Sequence, residues 1–250
     1  MLQSFLFILV GLGSGIIVNI LADIIPFKVK KIHFMVCNQC GNSMIFKDYF
    51  CLSECRVCHH RKRTRILIVL IIYLIIFSFL GKDPLVHRSL LENIFTLIYF
   101  GVVTIIDIEY HAILYSEILI GVGLGIILGM LQHGWWQTFL GGAIGFIVML
   151  GLYYLGILVQ KYRNRKSESG SYETEALGFG DVNLMGVLGL FLGFPGVLLG
   201  LFMGILLAGI FSLGSILWMV IQKNYRPDYA IPYGPFLVLG TFLLIYILKP

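Results

Sequence analysis

Charged side chains are scarce in this sequence. They make up 12% of its 250 residues, whereas soluble domains carry about 25%. Hydrophobic residues reach 58%, so the composition excludes an ordinary soluble domain and indicates an integral membrane protein surrounded by lipid. The net charge of +5 gives no reason to expect a nucleic-acid partner, because basic residues beside anionic lipid headgroups account for it.

The first apolar run lacks a basic n-region and a small-residue cleavage site. A removable signal peptide needs both, so we expect residues 1–26 to be a retained first transmembrane helix. Runs of roughly 17–25 apolar residues can cross a bilayer. The sequence therefore predicts an all-α, polytopic protein with about eight transmembrane helices, whose candidate spans are 3–22, 66–80, 90–106, 113–131, 136–160, 182–194, 196–221 and 235–248.

Lys and Arg are distributed unevenly between the loops. With the N-terminus outside, fifteen of them fall in inner loops and three in outer segments. Cytoplasmic loops accumulate positive charge, so we expect this orientation. It places the polar insertion 27–65 in the cytoplasm, and residues 66–250 then form the main transmembrane domain.

Acidic residues number only 13, and two of them lie at the edges of apolar runs. Asp107 ends one run, and Asp181, within Gly178-Phe179-Gly180-Asp181, precedes another. An ionisable residue at membrane depth predicts a functional site. In the expected orientation both carboxyl groups lie on the cytoplasmic side, which suggests that they share one site.

Each aspartate also has a simpler interpretation. Asp181 can be read as a helix N-cap and Asp107 as a charge at the headgroup boundary. An N-cap does not explain Gly178 and Gly180, which allow close approach of another backbone. If the two aspartates meet, they share a proton because like charges a few ångströms apart cannot both stay ionised. One then deprotonates a water while the other polarises a peptide carbonyl, and the pair titrates as a unit.

Four of the five cysteines form two Cys-x-x-Cys pairs with fourteen residues between them: Cys37, Cys40, Cys55 and Cys58. This spacing is typical of a four-thiolate zinc site. Four protein ligands close the coordination shell, so zinc would be structural and would hold together a loop too small for its own core. Redox-active or free thiols are the alternative.

Two further patterns involve glycine and proline. Glycines at four-residue spacing allow helices to approach closely or merely lower helix stiffness; they are Gly141 with Gly145, and Gly196, Gly200 and Gly204. The prolines of Ile231-Pro232-Tyr233-Gly234-Pro235 enforce a turn, which either lines the site or only caps a helix.

Asp107 followed by Gly178-Phe179-Gly180-Asp181 resembles the type IV prepilin peptidases, a family of bacterial Gly-x-Gly-Asp aspartic proteases. The other matching features are Gly15, Asn19 and Pro26 in the first helix, the paired cysteines of the cytoplasmic loop, and Pro232, Gly234 and Pro235 in the last turn. The sequence departs from the family pattern at Leu114-Tyr115 and at Asn183.

The resemblance implies that Asp107 and Asp181 are catalytic and that Gly178, Gly180, Pro232, Gly234 and Pro235 shape the site. The implied reaction removes the basic leader of prepilins or pseudopilins at the cytoplasmic face of the bacterial inner membrane, in the service of a pilus or type II secretion machine. It also implies S-adenosylmethionine-dependent methylation of the new N-terminus.

Two other functions compete with this one. A transporter with a proton relay is disfavoured, because the halves show no internal symmetry and both aspartates lie on one side. A non-enzymatic scaffold of a pilus or secretion machine would survive replacement of Asp181 by Asn, whereas a peptidase would not.

Overall fold

A computed structural model of the chain describes residues 2–26, 63–81, 88–166, 178–223 and 232–248. Helices account for 90% of them, and no strand occurs in these ranges. The predicted all-α class is confirmed. The helices are α1 (Leu2–Ile24), α2 (Arg63–Leu80), α3 (Leu90–Tyr110), α4 (Tyr115–Lys166), α5 (Phe179–Leu192), α6 (Gly196–Ile221) and α7 (Gly234–Leu243), which continues into a π-helical turn, Leu244–Leu248.

Four helical stretches in the described ranges are long and apolar enough to cross a membrane. They are Leu6–Ile24, Leu90–Tyr110, Tyr115–Tyr162 and Gly196–Ile221. Shorter apolar helices cover Thr64–Leu80, Phe179–Leu192 and Gly234–Leu248. With this much apolar helix, the chain is a membrane protein.

Helix α4 is interrupted at Gly134, whose backbone is not helical (φ 78°, ψ 166°). A positive φ of this kind suits glycine, which has no side chain to clash. The two halves fold back on each other, because a Cβ on Gly129 would lie 2.7 Å from the Thr138 side chain. The Thr138 hydroxyl donates to the Gly134 carbonyl at 2.8 Å. The break lies where the sequence predicts the loop between its fourth and fifth spans.

Contacts divide the chain into two units, Met1–Ile106 and Asp107–Pro250. In the first unit α1 packs against α2, and the ends of these helices are joined by an ion pair. Arg65 lies 2.9 Å from the Asp23 carboxylate, which is 1% exposed. A buried charge is stable only when it is paired, so this ion pair fixes the helix ends that flank residues 27–62.

In the second unit, α5 is the buried centre. From Leu184 to Leu192 it is apolar all round, which is typical of a helix enclosed by protein, and both halves of α4 contact it. Gly141 lies against the Gly189 carbonyl, and a Cβ on Gly145 would lie 2.7 Å from the Met185 carbonyl oxygen. The prediction that these glycines allow close helix approach is confirmed.

Helices α6 and α7 pack against each other in the same way. A Cβ on Gly240 would lie 2.5 Å from the Gly204 backbone nitrogen, and one on Gly204 would lie 3.1 Å from the Leu237 Cα. Gly204 belongs to the second predicted glycine series, and at this position the series serves close packing within the chain.

Candidate functional site

Asp107 lies in the last turn of α3. The sequence places the end of the apolar run at residue 106, but the helix continues to Tyr110, and the Asp107 carbonyl accepts the His111 N–H at 2.9 Å. The Asp107 side chain is 4% exposed, so it is buried inside the protein and is not a solvated charge at the headgroup boundary. His111 lies within electrostatic range of this carboxyl group.

Asp181 is the third residue of α5. Gly178 occupies the N-cap position, so the interpretation of Asp181 as the N-cap residue is wrong by three positions. The Asp181 carboxyl instead accepts the N–H of Gly178 from inside the helix, as an acidic residue at the third helical position does in a capping box. Gly178 supplies no side chain to this cap, and a Cβ there would lie 3.4 Å from Asp181 Oδ2.

Asp107 and Asp181 both belong to the second unit. Each lies within electrostatic range of the other, and Asp181 is 8% exposed. The direction of α5 explains why Asp181 lies near Asp107. The C-terminal end of α5, at Gly193, lies against His133 next to the break in α4. Helix α4 begins at Tyr115, shortly after α3 ends at Tyr110. The first turn of α5, at the opposite end from Gly193, therefore lies at the end of the unit where α3 stops.

Gly180 allows the segment after α3 to reach α5. A Cβ on Gly180 would lie 3.0 Å from the Ile113 Cβ. The two glycines of Gly178-Phe179-Gly180-Asp181 thus have different neighbours: Gly178 lies beside the Asp181 carboxyl and Gly180 beside Ile113. Between them, Phe179 stacks edge-on against Tyr153 of α4 with 5.8 Å between ring centroids.

The proline-rich turn also reaches the site. Helix α7 begins at Gly234 with Tyr233 as its N-cap and Pro235 in its first turn, a position where proline is tolerated because the N–H has no intrahelical partner. The Gly234 N–H donates to the Asp107 carboxyl, and a Cβ on Gly234 would lie 2.5 Å from Asp107 Oδ2. Gly234 of the predicted turn thus contacts a carboxyl group, and Pro232 precedes it as a partly buried residue.

Glu117 is a third acidic residue at this end, and the sequence reasoning missed it. It is the third residue of α4 and 2% exposed. Its Oε2 accepts the Leu114 N–H at 2.9 Å, and it lies within electrostatic range of Asp107. One signal was available: Glu117, like Asp181, opens an apolar run in a sequence that has few acidic residues.

Each of the three carboxyl groups accepts a backbone N–H hydrogen bond at the start of a helix. Glu117 and Asp181 cap α4 and α5 from within, and Asp107 accepts from the first turn of α7. Helix N-termini carry partial positive charge that stabilises nearby anions. A pair of carboxyl groups in this setting can exchange a proton with a water and polarise a carbonyl, which is the chemistry of peptide hydrolysis.

The metal prediction concerns another part of the chain. Cys37, Cys40, Cys55 and Cys58 lie outside the described residues. Within the described ranges, no three His, Cys, Asp or Glu side chains converge closely enough to hold a metal ion. Asp107, Glu117 and Asp181 are accordingly not such a group.

The type IV leader peptidase family model matches residues 94–213. The match includes Asp107, Glu117 and Asp181 and ends before the turn at Gly234. No curated protein and no solved structure matches the chain.

Proposed function

We propose that this chain, whose residues 94–213 match the type IV leader peptidase family model, is a membrane aspartic endopeptidase that removes the basic leader from prepilin-like substrates. The family supports a peptidase acting on leader peptides. The assignment to the aspartic class is supported by one observation: Asp107 and Asp181 are both buried and lie within electrostatic range of each other.

The proposed chemistry uses the two carboxyl groups as an acid and a base. The ionised carboxylate takes a proton from a water, whose oxygen attacks the scissile carbonyl carbon. The protonated partner donates a hydrogen bond, and then its proton, to the carbonyl oxygen. The tetrahedral intermediate collapses as the C–N bond breaks: the former base gives its new proton to the leaving nitrogen, and a hydroxyl of the intermediate returns a proton to the other carboxylate while the product carboxyl group forms. The pair is then back in its starting state.

The site is proposed to face the cytoplasm of a bacterial inner membrane. In this proposal the chain crosses the membrane eight times, with the two halves of α4 as separate passes. The excess of Lys and Arg in the inner loops supports the orientation. A prepilin-like substrate would then keep its basic leader in the cytoplasm and its apolar segment in the membrane, with the scissile bond at the level of Asp107 and Asp181.

Two cofactors are part of the proposal. Structural zinc held by Cys37, Cys40, Cys55 and Cys58 is supported by their spacing. Methylation of the new N-terminus with S-adenosylmethionine is supported only by the family resemblance, and transfer of a labelled methyl group to cleaved substrate tests it. A pilus or type II secretion machine would use the processed subunits.

The decisive experiment is cleavage of a peptide with a basic leader ending in Gly, followed by an apolar helix. The detergent-purified protein is compared with Asp107→Asn and Asp181→Asn, and Glu109→Gln serves as a control because Glu109 is exposed in the same helix turn as Asp107. We expect cutting after the Gly by the parent and the control, and by neither Asn variant. Cutting that persists in either Asn variant contradicts the Asp pair, and a folded parent that cuts nothing favours a scaffold.

A further inference from the structure

We propose that three aromatic side chains near Asp181 bind a basic side chain of the substrate's leader. They are Phe179, the first residue of α5, and Tyr153 and Tyr154 of α4, and together they are called the aromatic platform. The inference rests on the proposed peptidase function and names the part of the site that recognises the leader. The interaction is cation–π attraction between a lysine or arginine of the leader and the faces of the rings.

The three rings of the aromatic platform hold one another in place. The ring centroids of Phe179 and Tyr153 are 5.8 Å apart with 73° between the planes, and those of Tyr153 and Tyr154 are 5.6 Å apart at 70°. Such edge-to-face pairs are the arrangement that aromatic rings prefer. Phe179 is 50% exposed and Tyr154 is 58% exposed. The platform is therefore a fixed group of rings whose outer surface is open to a ligand.

Gly178 connects the aromatic platform to the carboxyl site. Apart from its chain neighbours, a Cβ there would meet only Asp181 Oδ2, at 3.4 Å, and the Gly180 nitrogen, at 3.9 Å, among the described residues. Phe179 and Asp181 are two positions apart and point to different sides of the first turn. A substrate reaches both by crossing the end of α5 at Gly178, where no side chain covers the backbone.

The position of the aromatic platform fits the leader of a substrate better than its apolar segment. Helix α5 begins at Phe179, and its other end, at Gly193, lies beside the break in α4. In the proposed orientation the start of α5 is its cytoplasmic end, so Phe179 lies on the cytoplasmic side of Asp181, where the basic leader stays. Tyrosine is enriched at this membrane–water boundary, and the negative ring faces of the platform complement the positive charge of the leader.

Leader peptides that differ in one side chain test the aromatic platform without turnover. Their affinities are measured for Asp107→Asn protein, which we expect to bind substrate without cutting it. The residue directly before the leader's last Gly is lysine, trimethyl-lysine or norleucine, because Phe179 lies only two residues from Asp181. Trimethyl-lysine keeps the charge but has no N–H to donate, and norleucine keeps only the apolar chain. We expect the first two peptides to bind alike and the norleucine peptide to bind about 2- to 30-fold more weakly.

Variants of the aromatic platform should lose this preference. Phe179→Leu and Tyr154→Leu remove a ring face and should bind the lysine and norleucine peptides more equally, whereas Phe179→Tyr keeps the ring and should keep the preference. Trp136→Leu is the matched control, because Trp136 is an equally exposed aromatic residue of α4, in an edge-to-face pair with Trp135 next to the break. This control should bind the three peptides as the Asp107→Asn protein does.

Three results would overturn the inference. They are equal binding of the lysine and norleucine peptides, binding of the trimethyl-lysine peptide as weak as that of the norleucine peptide, and a preference for lysine that survives in both Leu variants. The proposed peptidase function is judged separately, by cleavage with both aspartates intact. A chain that shows the preference but cuts no peptide contradicts that function and supports the platform, and one that cuts all three peptides equally well and binds them equally contradicts only the platform.

Discussion

The backbone N–H of Gly234 donates to the Asp107 carboxyl, and the Gly234 Cα lies so close to it that a Cβ would come within 2.5 Å of Oδ2. The first turn of α7 thus supports a buried acidic residue on another helix. Two residues that are 127 positions apart meet only because α3 ends where α7 begins. This contact gives the proline-rich turn a role in the site as well as in starting a helix.

Gly234→Ala should inactivate the protein without unfolding it. The added methyl group must displace the Asp107 carboxyl or the start of α7, and a shift of about 1 Å in a catalytic group costs on the order of 10²-fold in rate. The measurement is kcat/KM for leader cleavage together with the thermal unfolding midpoint. Gly123→Ala is the matched control, because a Cβ at that position meets no atom within 4 Å. Equal activity in the two variants would contradict a requirement for close approach at Gly234.

The Asp107→Asn/Asp181→Asn double variant should be no slower than either single variant. Loss of one proton-transfer group costs about 10²- to 10⁴-fold, and residues that act as one unit do not add their effects. Single-turnover cleavage at high enzyme concentration measures the residual rates. Independent, multiplicative losses would show that the two aspartates act in separate steps.

Gly141→Ala should destabilise the second unit. Its methyl group would press on the Gly189 carbonyl and on the Gly193 backbone, whose Cα would be 2.7 Å away. Overpacking of this kind costs about 1–3 kcal/mol, which lowers the unfolding midpoint in detergent by several degrees in a chain of this size. Gly151→Ala in the same helix is the control, since a Cβ there has no neighbour within 4 Å. A midpoint equal to that of the control would contradict tight packing of α4 on α5.

Zinc content should depend on four of the five cysteines. We expect one zinc ion per chain in the parent, and its loss on replacement of Cys37, Cys40, Cys55 or Cys58 by Ser, because a closed tetrahedral site needs all of its ligands. Cys51→Ser should keep the metal, since Cys51 falls outside both Cys-x-x-Cys pairs. Elemental analysis of purified protein provides the count. A metal-free parent with intact thiols would favour the redox interpretation.

The sequence was most informative where the physics is local. Long apolar runs predict membrane helices because bilayer thickness and helix rise fix the length required, and the positions of α1 to α7 follow those runs closely. An aspartate at the end of an apolar run stands out because acidic residues are scarce in this sequence and a charge is costly at membrane depth. Asp107 and Asp181 could therefore be selected as candidates before any contact was known.

Only the tertiary structure decided which helix ends converge. It shows that Gly234 contacts Asp107 and that Gly178, not Asp181, is the N-cap residue of α5. It also adds Glu117 to the buried carboxyl groups near Asp107. The burial of Glu117 has no local signature, because a glutamate in a first helical turn looks the same in sequence whether it is solvated or buried. Burial and neighbouring charge depend on how α4, α5, α7 and the last turn of α3 pack within the second unit, and that packing determines which acidic residues can share a proton.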